Sequence, residues 1–77
     1  MPLELYGTAT CPYTAELRDA LEWDEREFVE YDVETDAEAK RRMLEFCDGA
    51  TAVPVLVEDR RVVQIGHNGR ACYVAPG

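Results

Sequence analysis

Two helical patterns, each entered from a β-compatible run, fill the first 47 residues of this 77-residue chain, and that alternation leaves it few folds. Leu3 to Tyr6 is a short apolar run ended by Gly7 and reads as a first strand. Pro12 to about Asp24 reads as a helix. Pro12 suits the first helical position because its missing N–H would be unpaired there. Leu17, Ala20 and Leu21 share one face at spacings of three and four, and Trp23 is expected to close the last turn against the sheet. Glu27 to Val33, with Phe28, Val29, Tyr31 and Val33, is rich in β-formers and reads as a second strand. Thr35-Asp36-Ala37-Glu38 fits a capping box with Thr35 as N-cap. It opens a helix from about Asp36 to Cys47, which Asp48-Gly49 stops.

Val53 to Val57 reads as a third strand, Glu58-Asp59-Arg60 as a tight turn, and Arg61 to Ile65 as a fourth strand joined to the third as a hairpin. Gly66-His67-Asn68-Gly69 is a loop, and Arg70 to Gly77 has room for about two helical turns at most. The order is β-α-β-α-β-β. Each helical crossover predicts a parallel pair, and the final hairpin adds an antiparallel edge. The expected architecture is a single α/β domain over 1–77 with a four-stranded mixed sheet. Two helices cannot cover both faces fully, so one face is thinly covered near the antiparallel edge, and either the tail or a partner packs there.

Sixteen acidic against eight basic residues give a net charge of −8, which makes nucleic acid and anionic membranes poor partners. The first residues lack the basic and long apolar regions of a signal peptide, and no stretch reaches membrane-spanning length. Three cysteines, an odd number, exclude a full internal disulfide framework. Cys11, Cys47 and Cys72 lack the close pairs of a structural zinc site, and His67 is the one histidine, so no metal is expected. This cysteine usage fits a reducing, cytoplasmic compartment.

Cys11 stands where an N-cap stands. Unpaired backbone N–H groups and the helix dipole favour a thiolate there, and a thiolate is a nucleophile. Its sulfur is positioned to accept from the N–H groups of Tyr13 and Thr14, and the Thr14 hydroxyl, three residues on, can reach it too. The flanking loop is polar and expected to be exposed. Thr14 occupies the place where a dithiol motif carries its second cysteine, so the motif offers one sulfur. Pro54 opens a strand, as an ordinary trans proline or after a cis bond. With a cis bond beside Cys11, the Val53 backbone would be exposed for pairing with an extended peptide. Cys47 falls on the apolar face of the second helix and reads as core. Cys72 reads as a spectator, with a remote resolving thiol as the other reading. His67 lies between glycines, and Tyr13 can wall a substrate.

Cys11-Pro12-Tyr13-Thr14 at a helix start, Ala52-Val53-Pro54 before the third strand and Gly66-His67-Asn68-Gly69 after the fourth resemble a glutaredoxin across residues 3 to about 74. Within that family the chain is similar to the small glutaredoxin-like (seleno)protein group, in which the position of Cys11 can be selenocysteine. The resemblance implies a thioredoxin fold with a truncated last helix, Cys11 as nucleophile and Pro54 as a cis-proline facing it. It also implies a glutathione groove along Tyr13, Val53 and Gly66 to Gly69. Three features depart from the family: Thr8-Ala9-Thr10 offers no basic residue before the cysteine, Ala52 precedes Val53-Pro54, and Arg70-Ala71 follow the second glycine where an acid is usual.

The expected function is monothiol thiol–disulfide exchange. Cys11 attacks a glutathionylated or disulfide-bearing substrate, and glutathione or another external thiol releases it, in a monomer or weak dimer. On this reading Cys72→Ser leaves most of the activity. The alternatives are an iron–sulfur module, in which two chains each offer Cys11 with glutathione, and a non-catalytic interaction protein of the same fold.

Overall fold

The computed structural model describes residues 3–74. Chain order is β1 (Leu3–Gly7), α1 (Pro12–Trp23), β2 (Phe28–Asp32), α2 (Ala37–Phe46), β3 (Ala52–Val53), β4 (Val55–Glu58), β5 (Arg61–Ile65) and β6 (Cys72–Tyr73). The main sheet has the order β2-β1-β4-β5, and β3 pairs with β6 in a separate two-stranded sheet. This is the expected α/β thioredoxin-like architecture with a four-stranded mixed sheet.

β1 and β4 lie at the centre of the sheet, and their alternation serves both faces. Leu3 and Leu5 pack with Leu56, Leu17 and Leu21 on the α1 side. Tyr6 packs with Val55, Val57, Val33, Ala39 and Met43 on the α2 side. Leu5, Tyr6, Met43, Val55 and Val57 have no exposed surface. Burying a side chain of this size contributes about 1.5–3 kcal/mol, so these central strands fix the fold. Tyr6 also stacks on Tyr31 with ring centroids 5.1 Å apart. Burial pushes the Tyr6 phenol up to about 12, keeping it neutral.

Several local expectations change. The first crossover does give a parallel pair, with Leu5 opposite Glu30. The second delivers β4 antiparallel to β1, with Leu5 opposite Leu56. Val55-Leu56-Val57 is an unbroken apolar run buried on both faces, which reads the same in either direction and so carries no strand direction. The Val53–Pro54 peptide is cis and divides the expected third strand into β3 and β4. Trp23 is 87% exposed rather than packed on the sheet. Thr14, Leu17 and Leu21 form the buried stripe of α1, and Trp23, two residues past Leu21, falls on the far side of the helix.

The N-cap of α2 is Asp36, whose carboxylate accepts from the Ala39 N–H at 3.1 Å, rather than Thr35. Thr35 is held in the preceding turn, where its hydroxyl donates to the Asp32 carbonyl at 3.4 Å. Glu38 pairs with Arg41 instead of reaching back. Asp36→Ala is therefore expected to lower unfolding stability by about 1 kcal/mol, with a smaller loss for Thr35→Ala. Denaturant midpoints of the two variants check this order.

The tail also differs. In place of helical turns, Cys72 and Tyr73 form a strand, and it pairs with β3 rather than covering the antiparallel edge. Val63 and Ile65 on β5 remain 54% and 51% exposed. Residues 75–77 lie outside the described part of the chain.

Candidate active site

Cys11 is the N-cap of α1 in extended conformation, with Pro12 at the first helical position. Its carbonyl accepts the Ala15 N–H at 3.2 Å. The helix begins where the sequence places it, and it presents the thiol position at its positive end. The sulfur makes no capping hydrogen bond, because it is joined to Cys72 in a disulfide. A disulfide sulfur carries no negative charge, so the pull of the helix start on a thiolate acts in the reduced protein alone.

That disulfide corrects the reading of Cys72 as a spectator. The two residues are 61 apart in sequence, with Cα atoms 6.1 Å apart. Sequence spacing held no signal for this pair. It forms because Gly66 to Arg70 turns the chain back. Asn68 and Gly69 both have positive φ (54° and 75°), and the His67 and Arg70 backbones exchange hydrogen bonds of 2.8 and 3.0 Å across them. Gly66, at φ 79°, approaches closely as well: a Cβ there would lie 2.6 Å from the Arg70 carbonyl oxygen. The expected open loop is thus a tight hairpin that returns the chain to β3.

There β6 runs antiparallel to β3, with Val53 opposite Cys72 and Ala52 opposite Tyr73. The Val74 N–H extends the pairing by donating to the Thr51 carbonyl at 3.0 Å. The β3 edge next to Pro54, expected to be open for an extended peptide, is occupied by the chain's own strand. Cys11 is consequently 3% exposed, although Ala9, Thr10 and Pro12 beside it are exposed as expected of the flanking loop. It lies in one apolar cluster with Val53 and Val74, with Tyr13 and Cys72 packed against it.

Thr14 does not act on the sulfur in this state. Its side chain is fully buried, and its hydroxyl has no hydrogen-bond partner among the described residues. Instead it abuts Gly7 at the end of β1, where a Cβ would lie 2.6 Å from the Thr14 hydroxyl oxygen. Gly7 and Thr14 together seat α1 on the sheet. Cys47 is free, half-buried and packed against the α2-side core, and burial pushes its thiol up, with Asp48 adding to the effect. A raised thiol is a poor nucleophile at neutral pH, in keeping with a packing role.

The structure thus brings Cys11, Tyr13 and Val53 together with Cys72, and Gly66 to Gly69 serve as the turn that delivers Cys72. His67 contributes its backbone to that turn, while its ring Nδ1 lies 3.4 Å from the Gln64 amide. No group of three or more His, Cys, Asp or Glu is placed to hold a metal ion among the described residues. No described helix is long and apolar enough to cross a membrane.

Comparison with known proteins agrees with this geometry. A search of curated proteins finds no match. Among solved structures, the thioredoxin-like protein BC3987 is 31% identical, with a TM-score of 0.73 over 79% of this chain and 82% of that one. Actin interacting protein 5 (Aip5) is 25% identical, with a TM-score of 0.66 over 84% and 78%. The glutaredoxin grx-1 from Archaeoglobus fulgidus, 24% identical, shares the fold with a TM-score of 0.71 over 86% of this chain and 75% of that one. The Glutaredoxin family model matches residues 3–63, spanning β1 through most of β5 and including both Cys11 and Pro54. On that match the chain belongs to the glutaredoxin family.

Proposed function

We propose that this protein is a glutaredoxin-like thiol–disulfide oxidoreductase that reduces mixed disulfides through Cys11, with glutathione or another external thiol as the source of electrons. The observation that carries this reading is Cys11 itself: it caps the start of α1 and is already engaged in a disulfide next to the Val53–Pro54 strand. In the reduced protein the Cys11 thiolate attacks one sulfur of the substrate disulfide. A mixed disulfide forms at Cys11, and the other sulfur leaves as a thiolate. The helix start stabilises Cys11 both when it attacks and when it leaves.

The motif itself supplies one sulfur, since Thr14 takes the second place, and family membership supports glutathione as the co-substrate. Tyr13 and Val53, with the Gly66–Gly69 turn, are the residues we assign to the substrate groove. A reducing cytoplasmic setting suits this chemistry. Oxidised glutathione is the direct probe. Brief exposure of the reduced protein, followed by acid quench and peptide mass mapping, is expected to place early oxidation on Cys11, as a glutathione adduct or in its bond to Cys72, and to leave Cys47 a free thiol. Modification beginning at Cys47 would overturn the assignment.

A further inference from the structure

We propose that Cys72 is the resolving thiol for Cys11, and that β6 is a built-in substrate mimic holding the β3 edge until reduction frees it for a disulfide-bearing peptide. This rests on the reading of Cys11 as nucleophile and adds the partner that completes its cycle.

The argument starts from the place β6 occupies. A substrate peptide that offers a sulfur to Cys11 lies extended along Val53 and pairs with its backbone, as an added strand does. In the structure β6 makes those pairings, with Cys72 opposite Val53, and its sulfur is the one bonded to Cys11. The oxidised protein therefore has the form of an enzyme–substrate mixed disulfide in which the substrate strand is the chain's own. With Cys11 buried, a second peptide cannot share the site with β6.

The strand is also built to leave. It has two residues, its sheet partner is β3 alone, and Tyr73 is 78% exposed. Val74 is the one residue of the 72–74 segment in the buried core. The α1-side core takes no residue from this segment, and on the α2 side Val74 and Cys72 join a cluster otherwise built from β1, β3, β4, α2 and their flanks. The hairpin at Asn68-Gly69 holds the segment close, so a departed Cys72 returns at high effective concentration.

The cycle balances. Reduced Cys11 thiolate attacks R–S–S–R′, forming Cys11–S–S–R and releasing R′S⁻. The Cys72 thiolate then attacks the Cys11 sulfur, forming the Cys11–Cys72 bond and expelling RS⁻. The substrate disulfide gains two electrons and, with protons from solvent, becomes two thiols, while the protein loses two electrons. A dithiol, or two equivalents of a small-molecule thiol such as glutathione, restores both cysteines and is itself oxidised to a disulfide.

The test compares reduced wild type, Cys72→Ser and Cys47→Ser after mixing with oxidised glutathione, by acid quench and intact mass, with circular dichroism confirming that each is folded. Cys72→Ser is expected to accumulate a single glutathione adduct at Cys11. Wild type and Cys47→Ser are expected to pass to the internal disulfide, with the adduct at roughly a tenth or less of that level. Equal adduct in wild type and Cys72→Ser would overturn Cys72 as the resolving thiol while leaving Cys11 as nucleophile. A folded Cys72→Ser protein that forms no adduct at Cys11 would overturn the nucleophile reading itself. Hydrogen exchange of wild type supplies the second measurement: amides at 51–53 and 72–74 should exchange at least tenfold faster after reduction. Unchanged protection there would overturn the mobile-strand part of the proposal.

Discussion

Cys11→Ser is expected to reduce the exchange of a glutathionylated peptide to the uncatalysed background. A serine alcohol is not ionised at neutral pH, and it forms no sulfur–sulfur bond, so both the attacking and the carrying functions are lost. The variant keeps the start of α1, because the side chain differs by one atom at an N-cap position that serine itself favours, and it lacks the bond to Cys72 just as the reduced protein does. A folded but inactive protein is therefore the expected outcome, and a coupled assay of glutathione release reads it directly. Cys47→Ser provides the comparison: a half-buried thiol outside the site, it should retain wild-type turnover. Turnover surviving in Cys11→Ser and lost in Cys47→Ser would move the chemistry to the end of α2 and overturn the function proposed above.

The parts of this site that were legible in the sequence are those fixed by local chemistry. Pro12 after Cys11 marks a helix start whatever the rest of the chain does, and Gly66 to Gly69 mark a break in any periodic pattern. A proline opening a run of Val-Leu-Val marks an irregular strand entry, and the structure divides the strand there. What was not legible depends on contacts between distant segments. The antiparallel sense of β4 leaves the apolar run Val55-Leu56-Val57 unchanged. The capping role passed from Thr35 to Asp36 because the Asp32 turn claims Thr35 first. Cys72 looked idle because its partner lies 61 residues away, and two glycines read as a loop when they form a hairpin. The signal that could have found it is the short stretch Ala71-Cys72-Tyr73-Val74. Its Tyr73 and Val74, both β-formers, suit a strand better than a helical turn.

Breaking the Cys11–Cys72 bond is expected to lower stability by up to about 4 kcal/mol, the loop-closure entropy for a 61-residue separation. For a domain of this size that corresponds to roughly 15–30 °C in Tm, several times the effect expected from the Asp36 cap. The reduced protein should nevertheless unfold in one cooperative transition. Leu3, Leu5, Leu17, Leu21 and Leu56 form a core cluster that takes nothing from residues 72–74, while Tyr6, Met43, Val55 and Val57 share theirs with Val74 and, packed against it, Cys72. Thermal unfolding with and without a strong reductant measures the difference, and Cys72→Ser should match the reduced wild type and ignore the reductant. The magnitude also bears on the chemistry. By linkage, whatever the bond adds to folding, folding adds to the bond, so the fold favours the oxidised form and an external thiol must work against that to reopen it. If reduction instead abolished the cooperative transition, the disulfide would be a structural staple for a small core, and a cycle that breaks it at every turnover would be untenable.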